Sequence, residues 1–103
     1  MSRLDACLTI VAPRALEEEL VDLLLEYPQW VPKFTVIPAE GRDATVPLAA
    51  IAERVKGRGR EIVVQCLVNA EDAALLVAAM KQHLGAPAVA YWLVPVLSLG
   101  RLA

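Results

Sequence analysis

The chain predicts an α+β fold, a ferredoxin-like βαββαβ sandwich. It is a four-stranded antiparallel sheet with two helices on one face and a long loop between strands two and three. Three observations predict it. Two stretches repeat apolar residues at helical spacing, and four carry the β-branched and aromatic density of strands. Their order, strand–helix–strand twice over, is that of two βαβ halves.

Leu4 to Val11 reads as the first strand. Pro13 then starts a helix where its missing N–H is harmless, and Glu17, Glu18 and Glu19 occupy its first turns, favourable to the positive helix end. Leu16, Leu20, Leu23, Leu24 and Tyr27 fall on one face, and Pro28 ends the run. Lys33 to Pro38 is the second strand, and Glu61 to Val68 the third. Asn69 reads as an N-cap with Asp72 in the capping-box region. The helix that follows places Ala73, Leu76, Val77, Met80 and Leu84 on one face and stops at Gly85. Ala88 to Leu97 is the last strand.

The far face of such a sheet normally meets water and shows alternating polar residues. Here Ala88 to Leu97 is apolar at both parities, and only Gln65 breaks Ile62 to Val68. A second layer is therefore expected over that face, and another copy of the chain supplies it most simply. Tyr91 and Trp92 are adjacent on a strand and point to opposite faces, one to the helices and one to the interface between copies.

The chain has 103 residues, read as one domain over 1–103, and 57% of them are apolar. A net charge of −2 argues against a general nucleic-acid surface. The apolar run Ala88 to Leu97 is short of the roughly 20 residues a membrane span requires, so no membrane insertion is expected. Asp5 interrupts the place where a signal-peptide core would begin, which points to a cytoplasmic protein with Cys7 and Cys66 reduced.

Four of the ten cations lie in Arg54-Val55-Lys56-Gly57-Arg58-Gly59-Arg60. Clustered charge costs self-repulsion unless an anion or solvent relieves it, and the two glycines let the backbone approach a ligand. The segment ends the long connection between strands two and three. That connection begins with the loop Glu40-Gly41-Arg42-Asp43 and includes a candidate short helix, Leu48 to Val55.

This combination resembles the PII-like signalling proteins. Trp92-Leu93-Val94-Pro95-Val96 and the trailing Arg101 are similar to the end of the PII core. From Ala6 to Leu102 the chain looks like a small PII-like branch encoded beside heavy-metal efflux pumps. The likeness includes Pro13 to Leu25, Ala52 to Arg58, and Tyr91-Trp92-x-x-Pro95-Val96. The resemblance implies a homotrimeric regulatory protein, not an enzyme, that binds an anionic effector such as ATP, ADP or AMP in the clefts between subunits. It implies a transport system as target, through a loop running from Gly41 to Arg60. The effector-binding residues it implies are Arg54, Lys56, Gly57, Arg58, Gly59, Arg60 and Arg101, and the partner-contacting ones are Gly41, Arg42 and Asp43.

Two departures stand out. Classical members carry Gly-Asp-Gly-Lys before the last strand, where this chain has Gly85-Ala86-Pro87-Ala88, so any phosphate charge must be met by the arginines and lysine of 54–60. The tyrosine that classical members modify in the loop has no counterpart, since the tyrosines here are Tyr27 and Tyr91. Two other readings stay open: a trimeric adaptor whose basic loop docks an acidic protein without any small ligand, and a CutA-like trimer with a metal-related role. For metal the residues are thin, with one histidine, His83, and two cysteines predicted to face opposite sides of the sheet. For catalysis no nucleophile–base pair is suggested, and Ser2 and Ser98 have no histidine nearby in sequence.

Overall fold

The computed structural model describes residues 3–42, 59–85 and 87–103. Strands β1 (Ala6–Pro13), β2 (Phe34–Glu40), β3 (Arg60–Val68) and β4 (Ala90–Pro95) form one antiparallel sheet in the order β2-β3-β1-β4. Helices α1 (Glu17–Leu25) and α2 (Ala70–His83) join β1 to β2 and β3 to β4. This is the ferredoxin-like α+β arrangement that the sequence predicts.

The register sorts the sheet into two faces, because residues directly opposite each other point the same way. Ala6, Leu8, Ile10 and Ala12 pair with Val68, Cys66, Val64 and Ile62, and all eight are buried. Leu20, Leu23 and Leu24 of α1, Val31 after it, and Ala73, Leu76 and Met80 of α2 complete the core. Burying each large aliphatic side chain contributes about 1.5–3 kcal/mol, so this layer carries most of the stability.

The other face is apolar, as expected. Three rows cross it: Thr35–Gln65–Thr9–Trp92, Ile37–Val63–Val11–Ala90 and Leu67–Cys7–Val94. Ile37, Trp92 and Val94 are exposed there. Cys7 lies on this face and Cys66 on the helix side, both as free thiols.

Several boundaries differ from the sequence reading. Pro13 is the last residue of β1 and does not open α1; a 3-10 turn, Arg14–Leu16, comes between. Only β3 flanks Pro13, because the β1–β4 pairing stops at Val11 opposite Ala90. Glu40 belongs to β2, where it pairs with Arg60, and not to the loop. β4 is shorter than Ala88 to Leu97, since Ala6 to Val11 are its only partners.

The start of α2 is held from two sides. The Asn69 side-chain oxygen accepts the Glu71 and Asp72 amides at 3.0 and 3.3 Å, while its amide donates to the Arg3 carbonyl at 2.9 Å. The Ala70 amide donates to the Asp5 carboxylate at 2.9 Å. Asp5 also donates its own N–H to Val68 and accepts from Val96, so one residue ties β3, α2 and the end of β4 together. At the other end Gly85 adopts φ +53°, the left-handed conformation in which helices commonly close.

Candidate functional site

The paired ends of β2 and β3 form a neck from which the long connection leaves. Glu40 lies opposite Arg60, and the Gly41 amide donates to the Gly59 carbonyl at 2.7 Å, closing the neck one residue beyond the sheet. Arg42 reaches back to Glu40 at 3.2 Å, an exposed ion pair worth about 0–1 kcal/mol. Glu61, opposite Ala39 and Pro13, adds a second carboxylate on the outer side of the neck.

The neck is therefore not a purely basic surface. Glu40 and Glu61 stand beside Arg42 and Arg60, so the described part of the neck carries as many carboxylates as cations. Residue type and spacing single out neither carboxylate. The signal that points to Glu40 is register: extending β2 by two residues places it across from Arg60. Of the expected effector residues, Arg54, Lys56, Gly57 and Arg58 lie outside the described residues, as do Asp43 and the candidate helix Leu48 to Val55. Gly41, Arg42, Gly59 and Arg60 are brought together at the neck.

Arg101 follows the end of β4 that is farther from them. β4 starts opposite Val11, near the neck, and ends opposite Ala6 at the other end of the sheet. The chain leaves from that far end, and Leu97, Leu99, Arg101 and Leu102 are all exposed. Six strand residues span roughly 20 Å. Pro87 and Ala88, which lead into β4, lie at the same end of the sheet as the neck, because β4 starts there.

On the helix side of the sheet, an open cleft of about 290 Å³ runs between the end of α2 and β4, bounded by Ile10, Met80, Leu84 and Tyr91. Lys81 holds its ammonium 6.0 Å from the centre of the Tyr91 ring. Trp92, the neighbouring aromatic, points to the outer face beside Thr9. No cluster of three or more histidine, cysteine, aspartate or glutamate side chains suited to a metal is present among the described residues. Cys66, fully buried, has its thiol pushed from 9.0 to about 12, first by burial and then by the neighbouring Cys7. No helix among the described residues is long and apolar enough to cross a membrane.

Comparison with known proteins adds the following. A family model described as "Protein of unknown function (DUF3240)" matches residues 2–103. Among curated proteins none matches the chain. Of solved structures, a DUF3240 family protein from Shewanella baltica is 17% identical with a TM-score of 0.75, covering 98% of this chain and 99% of the other. CPII from Thiomonas intermedia, a nitrogen regulatory PII-like protein solved with ADP, AMP and bicarbonate, is 17% identical with a TM-score of 0.69, covering 96% of each chain. A protein described as PII-like signalling from Thermus thermophilus is 22% identical with a TM-score of 0.64, covering 89% of this chain and 86% of the other. The fold is PII-like.

Proposed function

The chain belongs to the DUF3240 family, and from its PII-like fold we propose that it is a regulatory protein, a homotrimer that binds an adenine nucleotide in clefts between subunits. The observation that carries the reading is the likeness to CPII over 96% of both chains, since that protein was solved with ADP and AMP. The neck supports it. Two strands held by the Gly41–Gly59 hydrogen bond form a rigid base for the connection that would report occupancy. In this reading Arg54, Lys56, Arg58 and Arg60, with the glycines between them, meet the phosphates. Arg101 of a neighbouring copy closes the same cleft, which fits its place beyond the opposite end of β4. The segment from Gly41 to Asp43 and onward contacts the target, for which the sequence resemblance suggests a membrane transport system, of the kind that exports heavy metals.

Isothermal titration of the full chain with ATP, ADP and AMP tests the ligand. Saturable heat with at least one of them is expected, and Arg60→Ala should weaken it by about 1–3 kcal/mol, the worth of a charge-assisted contact. No heat with any of the three would remove the nucleotide from the reading. The turn Gly85-Ala86-Pro87-Ala88, which has no lysine to offer a phosphate, favours a second reading: an adaptor whose basic loop docks an acidic partner directly. Partner binding that weakens with salt and ignores nucleotide would select it.

A further inference from the structure

The groove between α2 and β4 has a chemistry unlike that of the neck. Two clefts, of about 290 and about 390 Å³, meet at Val77, Lys81 and Tyr91. The groove exists because α2 turns small side chains towards β4. Ala70, Ala73, Ala74 and Ala78 leave open space above Leu8 and Leu93, where larger residues would have closed the layer. As a result Tyr91 and Leu93 stay 45% and 41% exposed although they point to the helix side of the sheet.

Charge then narrows the occupant. Lys81 is the single ionic side chain among the described residues lining either cleft, and no carboxylate lines them. It has no ion-pair partner among the described residues. The carbonyl end of α2 opens onto the same place and carries about half a negative charge, so the full charge of Lys81 leaves the site net positive. A polyanion is a poor fit, because there is one cation and the helix presents carbonyls rather than amides. A monoanion with an apolar body fits both walls and head.

We propose that this groove binds a small amphipathic carboxylate, its chain lying along Val77 and the alanines of α2 and its head group on Lys81. The site does not rest on the nucleotide reading: Gly85 and Pro87 border it, but its head group is held by Lys81 on the helix side of the sheet and it uses none of the neck residues.

The test is an amide NMR titration of the full chain with sodium decanoate, run beside acetate and decan-1-ol. Saturable shifts are expected at Val77, Met80, Lys81 and Tyr91 with decanoate, and none with acetate, which lacks the apolar body. Lys81→Met keeps the apolar stem and removes the charge; it should weaken decanoate about tenfold while leaving decanol unchanged. Ala78→Phe, at an exposed position, fills the trough without disturbing the core and should abolish both. Absence of saturable shifts, shifts confined to Val63 and Trp92 on the outer face, or equal decanoate affinity in Lys81→Met would each overturn the proposal.

Discussion

Cys66 shows how one side chain reports the quality of the core. It points into the helix side of the sheet between Leu8 and Phe34, with no accessible surface, while Cys7 stands on the outer face and is partly open. Burial disfavours the thiolate, and the neighbouring Cys7 adds to this, so the Cys66 thiol stays neutral up to about pH 12. Folding then favours the protonated form. The contribution is complete below the unfolded value of 9.0 and is lost as pH rises through about 12, because the unfolded chain gives up its proton first. Denaturant titrations at pH 8 and pH 10 should differ by about 1 kcal/mol, the alkaline sample being weaker, and Cys66→Ala should remove that part of the difference. A second readout is simpler: a thiol reagent at neutral pH should label Cys66 only on unfolding, whereas Cys7, on the face that other copies cover, should become reactive once the copies separate. Labelling of Cys66 in the native state would contradict the burial. The opposite placement of the two thiols was legible in the sequence because strand parity has a fixed period of two. The raised pKa was not, since it depends on which atoms surround the sulfur.

Among the elements, α2 carries the most instructive balance of local and distant control. Its stop at Gly85 and its cap at Asn69 were legible because both depend on residue type at a helix end. The role of Asp5 was not: its carboxylate reaches the Ala70 amide across 65 positions of sequence, and only the pairing of β1 with β3 puts it there. The boundaries of β4 were hidden for a related reason. An unbroken apolar run has no internal mark, so the partner strand sets where pairing ends. Two substitutions test the balance in one denaturation series. Asp5→Ala removes an amide acceptor at the helix start and should cost about 1 kcal/mol. Gly85→Ala forces a side chain into φ +53°, with its Cβ 3.3 Å from the Lys81 carbonyl, and should cost about the same or slightly more. The sites lie at opposite ends of α2, so their effects should add; marked non-additivity would mean that the helix end frays as a unit with its start.

For the whole molecule, the outer face of the sheet decides between a chain that acts alone and one that acts as an assembly. Its apolar character was legible from the missing alternation in β3 and β4, whereas the transverse row Thr35–Gln65–Thr9–Trp92 needed the register. That row gives an otherwise greasy surface a polar line with Trp92 at its edge, a pattern suited to fixing how copies meet rather than merely hiding area. Sedimentation of the full chain should give a mass near three times its 11.1 kDa. Trp92→Glu should lower that mass towards a single chain, because a carboxylate within an apolar contact loses water without gaining a partner. Trp92 is 49% exposed in the isolated chain and lies outside the core, so the variant should keep its far-ultraviolet dichroism and separate assembly from folding. Nucleotide bound between subunits should be lost in the same variant and kept in Lys81→Met. A wild-type chain that sediments as a monomer would leave the exposed face without its cover, and a Trp92→Glu variant that stays assembled would place the contact between copies elsewhere.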